Sequence, residues 1–330
     1  MKGGFVAVSI FLILAFSPRP VFSVGLADAA QGCASVAGGT MPGATAAQGC
    51  ASVAGGTMPG ATAAQAAALA VPPSVPQGGL IRGRLPAGSL LSLSPSRSPS
   101  SAAEADASAV RVAGDGRFVV GVGRNEPGPI RLKITLPDKS RTVLTIAVTA
   151  RDWQIERIQG VPESTVNPPP EIAARIEREQ AEVSEARKRD DDRDDFGATF
   201  AWPLKGRVSG VYGSQRIYNG TAKSPHSGVD VAAAAGTPVH APAGGVITFA
   251  KSDLYLTGGT VLIDHGHGLS SSFLHLSRID VSVGARVEQG QVIGLVGATG
   301  RATGPHMHWG MNWFSVRVDP QLLVDPSGNQ

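Results

Sequence analysis

All seven histidines of this 330-residue chain lie in its last third, and five polar residues there have the spacing of a metal site. His226 and Asp230 stand four residues apart. His306 and His308 flank a single residue, so in an extended strand both side chains project to the same side. His275 lies between the two motifs. Hydrolytic zinc takes three nitrogen or oxygen ligands and keeps one position open for water, so the pattern predicts a zinc site with two imidazoles to spare.

The composition favours β structure. Glycine (42 residues) and proline (24 residues) are abundant, while aromatic residues make up 5% of the chain, which is typical of turn-rich β proteins rather than helical bundles. Short apolar runs bounded by glycine or proline, such as residues 245–250, 260–264 and 291–296, predict strands across residues 200–323. We therefore predict a mainly β protein.

The pattern along the chain predicts successive segments. Residues 77–150 alternate apolar and polar positions between turn signals, which predicts a small β-sandwich-like domain. Residues 151–199 predict a linker, in which the charged residues 171–190 lack helix breakers and favour a largely solvated helix with a loose apolar face. Residues 200–323 contain the histidines and form the principal domain, and residues 324–330 form a C-terminal tail.

The N-terminus has the features of an export signal. Lys2 precedes an apolar stretch, residues 5–16, that is too short to span a bilayer. This predicts a signal peptide over residues 1–23, an exported protein of the periplasm or cell envelope, and no stable membrane insertion. An uncleaved anchor is the alternative.

A low-complexity tether is predicted over residues 24–76. Residues 31–47 recur as residues 48–64, are rich in glycine, alanine and threonine, and have no apolar periodicity. The two cysteines of the chain, Cys33 and Cys50, lie in the two copies. In an exported protein these thiols could pair with each other, and a lipid-anchored cysteine is the alternative.

The charge balance points away from nucleic acid. The formal net charge is +3 and the isoelectric point is near 9.0. No long basic run or basic patch with interleaved aromatic residues occurs, so we expect no nucleic-acid partner. The slight excess of positive charge would keep the protein near an anionic polymer such as a cell wall, and ordinary solubility explains it as well.

Six motifs in residues 200–323 resemble those of the lysostaphin/LytM-type zinc metallopeptidases, in the family's order and spacing. They are His226-x-x-x-Asp230, the glycine- and proline-containing run 236–246, Asp264-His265-Gly266-x-Gly268, His275-Leu276-Ser277, the segment 287–294, and Gly300-x-x-Thr303-Gly304-Pro305-His306-x-His308. The upstream β block and charged helix are similar to those of exported alphaproteobacterial members.

The resemblance implies an antiparallel β core with a narrow groove, one zinc ion, and cleavage of peptide bonds in peptidoglycan cross-links or stems. Carried over position by position, the zinc ligands would be His226, Asp230 and His308, and His275 and His306 would be catalytic histidines that do not bind the metal. Either histidine could orient the water, take its proton or hold the oxyanion, because an imidazole can both accept and donate a proton near neutral pH.

Other polar residues of this region have weaker assignments. Arg216 and Asn219 could line the groove and hydrogen-bond the substrate peptide, or could be ordinary loop residues. His265 and His267 follow an apolar run in a glycine-rich turn, which favours a structural role. The family often has tyrosine two residues before the mid-chain catalytic histidine, where this chain has Phe273.

The function most consistent with these features is a zinc endopeptidase that acts on peptidoglycan peptides. The alternative is a non-catalytic or autoinhibited relative that regulates other cell-wall hydrolases, and a structural protein with an incidental metal is a third option. A regulator is expected to lack some of the five site residues, and this chain keeps them all. Cell-division proteins and other wall hydrolases are the candidate partners.

Overall fold

A computed structural model of the chain describes residues 69–94, 108–160 and 169–329. These residues all belong to one compact unit, Thr57–Gln330. The predicted signal peptide, most of the tether and both cysteines lie outside the described residues. Within these three ranges, no helix combines the length and the apolar character that crossing a bilayer requires.

The block upstream of the helix is built from short strands. Five of them form a sheet in the order β1-β7-β6-β3-β4, and β2 pairs with β5. Along β6, Ile130, Leu132 and Ile134 are buried while Arg131 and Lys133 are exposed, so one face of the sheet packs on the core. The strands are β1 (Ser74–Pro76), β2 (Leu80–Arg84), β3 (Leu90–Ser94), β4 (Ser108–Val110), β5 (Arg117–Gly121), β6 (Ile130–Thr135), β7 (Arg141–Thr149) and β8 (Ile155–Ile158).

The charged segment forms α1 (Pro170–Ala186), which is shorter than the predicted helix over residues 171–190. Pro170 suits the first helical position because its φ is fixed and its missing N–H is not needed there. Beyond Ala186 the chain instead runs along the C-terminal region, where the His267 N–H donates to the Asp191 carbonyl (3.0 Å). Tertiary contacts therefore override local helix preference.

Helix α1 docks through a small apolar contact. None of its residues is fully buried, but Val183 and Ala186 pack against a cluster of Phe249, Leu254 and Leu262. The helix therefore covers part of one face of the main sheet, although most of its surface is solvated as predicted.

Ionic contacts also attach the segment after α1 to the C-terminal region. Arg193 donates to the carbonyl oxygen of Asp264 (2.8 Å) and to its carboxylate. Arg286 forms a two-fold pair with Asp195 (2.5 and 2.7 Å). The predicted linker is thus anchored at several points.

The C-terminal region contains the largest sheet, ordered β18-β14-β15-β16-β20-β12-β9, with β21 paired to β20. All the pairings within it are antiparallel, and the predicted mainly β class is confirmed. Its neighbours are two small sheets, β13-β19-β17 and β8-β10-β11. The strands are β9 (Arg207–Gly210), β10 (Gln215–Tyr218), β11 (Thr221–Ala222), β12 (Gly228–Ala232), β13 (Pro238–His240), β14 (Gly245–Leu254), β15 (Gly258–Asp264), β16 (Leu269–Leu276), β17 (Arg278–Ile279), β18 (Arg286–Val287), β19 (Val292–Leu295), β20 (His306–Trp313) and β21 (Val316–Val318). Short 3-10 helices cover Asp194–Gly197, Pro320–Leu322 and Pro326–Asn329.

Strand β20 separates the core from the face that carries the histidines. Met307, Trp309 and Met311 are fully buried in the core. Since side chains alternate along a strand, His306 and His308 project from the opposite face. The hydrophobic side of β20 therefore fixes which way the polar side points.

Candidate metal centre

The register of β12 and β20 brings distant residues together. Asp230 lies directly opposite His308 in this antiparallel pair. Gly228 allows the strands to approach, because a Cβ there would lie 2.1 Å from the carbonyl oxygen of Trp309. His226 lies just before β12, and its backbone N–H donates to the Ser214 carbonyl (2.7 Å).

Three donor atoms of these residues converge in a group that could hold a metal ion. His226 Nε2 lies 3.1 Å from Asp230 Oδ1 and 3.1 Å from His308 Nδ1, and His308 Nδ1 lies 2.8 Å from Asp230 Oδ1. Tetrahedral zinc with bonds of about 2.0–2.1 Å separates neighbouring donors by about 3.3 Å. The donor set and its spacing therefore fit such an ion with little adjustment.

The hydrogen bonds of the two imidazoles favour this arrangement. His226 Nδ1 lies 3.0 Å from the Val211 carbonyl oxygen, to which an N–H can donate, leaving a lone pair on Nε2. His308 has the opposite arrangement, with Nε2 3.3 Å from Ser227 Oγ and Nδ1 facing the centre. Such outer contacts fix the tautomer and orientation of metal-binding histidines.

Charge within the cluster also suits a cation. Burial opposes ionisation of Asp230, but hydrogen bonds and charge interactions with His226 and His308 outweigh it and hold the pKa of the carboxyl well below its usual range. Burial lowers the pKa of His308 to about 4, so this imidazole is neutral at pH 7. Burial also acts to lower the pKa of His226, but its contact with Asp230 raises the pKa overall. A proton on His226 would compete with a metal ion.

His275 and His306 stand beside this group without joining it. Their rings are 4.7 Å apart, and His306 Nε2 lies 3.9 Å from Asp230 Oδ1. Each Nδ1 lies 2.8 Å from a backbone carbonyl oxygen, that of Thr299 for His275 and that of Gly304 for His306. With an N–H donated there, each Nε2 keeps a lone pair. Burial lowers the pKa of His275, which favours its neutral form.

Two cavities flank the cluster. The first, about 870 Å³, is lined by His226 and Asp230 together with Arg216 and Glu156. The second, about 690 Å³, extends from Ser227 along α1. Ser224 lines both, so the two cavities adjoin and are together called the groove; two of the three donor residues, His226 and Asp230, line its first part.

The two predicted groove residues differ in position. Arg216 lines the first cavity, and its Nε lies 3.1 Å from the carboxylate of Glu156 on β8. Asn219 is not among the residues lining that cavity; it has a φ of 49° at the turn between β10 and β11.

The other singled-out residues have structural contacts. His265 is fully buried between the Gly244 carbonyl (2.7 Å) and Ser271 Oγ (2.8 Å). His267 stacks on Phe196 with ring centroids 3.9 Å apart. Phe273 is 0% exposed, so its ring lies in the core rather than in the groove.

Sequence reasoning missed several residues that support the site. Ser227 and the carbonyls of Val211, Thr299 and Gly304 orient the imidazoles, and Glu156 contributes to a cavity wall. Carbonyl partners have no residue-type signature. Glu156 lies in a segment that the sequence predicted to be a linker. In the structure this segment forms β8, which pairs in parallel with β10.

The similarity of this chain to known proteins is concentrated in the region that contains the candidate metal centre. Residues 224–320 match the sequence pattern described as Peptidase family M23. The chain is 42% identical over 106 residues to Peptidoglycan DD-endopeptidase ShyA of Vibrio cholerae, covering 32% of this chain and 24% of that protein. It is 49% identical over 102 residues to DD-carboxypeptidase/endopeptidase Mpg of Neisseria meningitidis, covering 31% and 23%. It is 34% identical over 128 residues to Cell division protein DipM of Caulobacter vibrioides, covering 39% and 20%.

The likeness to one solved structure is more extensive. A putative peptidase M23 from Pseudomonas aeruginosa aligns with 78% of this chain and 96% of its own length, at 32% identity and a TM-score of 0.58. The curated relatives are matched over only a fifth to a quarter of their lengths.

Proposed function

Since the chain belongs to peptidase family M23, we propose that it is a zinc-dependent endopeptidase that hydrolyses peptide bonds in peptidoglycan cross-links or stems. The observation that carries the proposal is the convergence of donor atoms from His226, Asp230 and His308 beside two further imidazoles. The name of the relative ShyA, a peptidoglycan DD-endopeptidase, supports the substrate class, and the name of Mpg supports endopeptidase activity.

The proposed metal ligands are His226 Nε2, Asp230 Oδ1 and His308 Nδ1. Two imidazoles and one carboxylate match the nitrogen and oxygen donors of catalytic zinc sites, which leave a position open. When bound, zinc supplies Lewis acidity, which polarises a carbonyl group and makes water more nucleophilic near neutral pH.

His275 and His306 are the proposed catalytic histidines. Each can accept a proton at Nε2, because its Nδ1 is engaged by a backbone carbonyl. Once protonated, the same nitrogen can donate a hydrogen bond to a developing oxyanion or pass the proton to the leaving amine. The lowered pKa of His275 keeps it available as a base at neutral pH.

The groove past the cluster suits an extended peptide. One wall is contributed by Gln154, Ile155 and Glu156, upstream of α1, so the segment before the principal domain helps to bound the site. We propose Arg216 as a substrate contact on this wall, and Asn219 only as a residue that could approach a longer substrate.

We place this activity in the cell envelope, where the peptidoglycan named for the relatives lies. The similarity to a protein named for cell division supports a role, or partners, at the division site. The signal peptide over residues 1–23 remains part of this proposal.

An autoinhibited form is a second candidate. Helix α1 lies along the second cavity and would restrict access to it if the helix stayed docked during catalysis. Shortening the chain to begin at Phe200 should then increase cleavage.

The proposal is tested by incubating the purified protein with Gram-negative peptidoglycan sacculi, with and without a chelator, and separating the released muropeptides by chromatography. We expect chelator-sensitive loss of cross-linked dimers. His308→Ala should lose both zinc and activity, whereas His306→Ala should keep zinc and lose turnover.

His240→Ala is the matched control, because His240 contacts the Pro203 carbonyl and lines neither of the two cavities. It should retain zinc and activity. Cleavage that persists in excess chelator, or equal activity in the His306 and His308 variants, would contradict the assignment.

A further inference from the structure

The second cavity is walled on one side by α1 and leads to the candidate metal centre. Ile176 and Val183 of α1 line this cavity of about 690 Å³, and so do Leu254 and Leu274 of the main sheet. Ser224 lines this cavity and also the first cavity, which is lined by His226 and Asp230. A peptide bound at the centre can therefore extend into this cavity.

Positive charge predominates in its lining. Arg187, Lys188 and Arg317 line the cavity, whereas Glu179 is the one carboxylate there among the described residues. Lys188 is paired with Glu185 at 2.6 Å. Two arginines therefore remain as candidates to bind a ligand.

The single carboxylate of the lining is already engaged. One oxygen of Glu179 accepts from Arg175 Nε (2.6 Å), and the other accepts from the Tyr255 N–H (2.8 Å). It is therefore not available to neutralise either arginine.

Arg187 is the C-cap residue of α1 and is half-buried. Its Nε is buried and has no hydrogen-bond partner among the atoms of the described ranges. Burial, with a contribution from the nearby Arg317, lowers the pKa of Arg187 to about 10, so the side chain remains charged at pH 7. The negative end of the α1 dipole offsets part of the cost of burying this charge, but an anion would satisfy the guanidinium more fully.

We propose that the α1-walled cavity is a substrate subsite in which Arg187 and Arg317 bind a free carboxylate of an acidic peptide. This inference rests on the proposed function, since it names the substrate chemistry of the same groove. Guanidinium groups pair with carboxylates through parallel hydrogen bonds. The lining also suits a peptide, because Ser272 and Asn312 offer hydrogen-bonding groups beside the leucines.

The test is calorimetric binding of two synthetic probes to the full chain in the presence of chelator, where no turnover occurs. One probe is a stem tetrapeptide of Gram-negative peptidoglycan with free carboxylates, and the other is the same peptide with those carboxylates amidated. We expect the wild type to bind the acidic probe about tenfold or more tightly than the amidated one, as charge-assisted hydrogen bonds imply. Arg187→Gln and the more exposed Arg317→Gln should each reduce this difference, and Arg187→Lys should retain part of it.

Arg178→Gln is the matched control for loss of one charge from α1, because Arg178 is exposed and lies outside the cavity lining. It should leave the discrimination unchanged. Equal binding of the two probes by the wild type, or an equal loss for both probes in Arg187→Gln, would overturn the subsite. So would faster cleavage of sacculi by Arg187→Gln, because that result would mean that the cavity wall obstructs substrate.

The two proposals fail separately. Cleavage of sacculi without discrimination between the probes refutes only the carboxylate subsite. Discrimination that depends on Arg187, without any cleavage, refutes only the endopeptidase and would indicate a peptide-binding regulator.

Discussion

Replacing Arg193 by alanine should destabilise the protein by about 3 kcal/mol at pH 7, because it leaves the buried carboxylate of Asp264 without its main partner. The Asp264 side chain is 3% exposed, and Arg193 donates to both its carboxylate and its carbonyl oxygen. Removing one partner of a buried pair typically costs about 3–5 kcal/mol. We take the lower end because Arg189 Nε, 3.9 Å from the same carboxylate, would compensate in part.

The pH dependence of this penalty distinguishes the mechanism from loss of packing. Burial raises the pKa of Asp264 even though Arg193 opposes the shift, and removal of Arg193 would raise that pKa further. A carboxyl with a higher pKa in the folded state binds more protons there than in the unfolded chain, so folding gains stability as pH falls towards the unfolded pKa of about 3.9. The penalty should therefore shrink between pH 7 and pH 5.

Urea denaturation followed by tryptophan fluorescence at both pH values measures the effect. Arg278→Ala is the control, because Arg278 pairs with Asp280 at the surface (2.6 Å) and should leave the midpoint unchanged. The reasoning would be refuted if Arg193→Ala lowered the free energy of unfolding by less than about 1 kcal/mol at pH 7, or by the same amount at both pH values.

Three further outcomes are expected. Burial lowers the pKa of His265 to about 4, so the unfolded chain binds more protons than the folded protein between pH 6.5 and 4. The free energy of unfolding should therefore fall by up to about 3 kcal/mol over that range. In urea titrations, His265→Gln should show a smaller fall in this free energy. Gly300→Ala should reduce kcat about tenfold or more. Gly300 has a φ of 68°, and a Cβ there would lie 2.4 Å from the backbone nitrogen of Gly258. The resulting shift would displace the neighbouring Thr299 carbonyl, which orients His275. Gly114→Ala has open space far from His275 and His306 and should keep its kcat, so equal effects of the two substitutions would argue against this explanation. Chelation should lower the Tm of the wild type but not of His308→Ala, as scanning calorimetry would show, because a metal that binds only the folded state stabilises it by mass action.

Local patterns were informative wherever one face of a strand is buried. The segment that contains His306 and His308 does form a strand, β20, and its alternation correctly placed the two histidines on one side. The mainly β class followed from the same patterns. The helix was predicted with its start one residue late and its end four residues late, because beyond Ala186 the chain makes contacts with the turn after β15 that have no local sequence signal.

The candidate site was partly predictable. The expected ligand residues His226, Asp230 and His308 do lie together, and their assignment as ligands remains a prediction for the metal-binding measurements. Of the two groove candidates, Arg216 lines the cavity and Asn219 does not. Nothing in the sequence distinguished them, because both belong to the same short polar segment.

The sequence by itself determined the alternation of the strands, the donor types of the site and the order of its motifs, since each depends on residue identity over a few positions. Only the tertiary structure decided which tautomer each imidazole favours, how β8 joins the groove, and that Arg187 lines a cavity with its buried Nε unpaired among the described residues. These features depend on contacts between residues far apart in the chain, often through backbone carbonyls that every residue carries. Periodicity reports which side of an element is buried, but not what is packed against the other side.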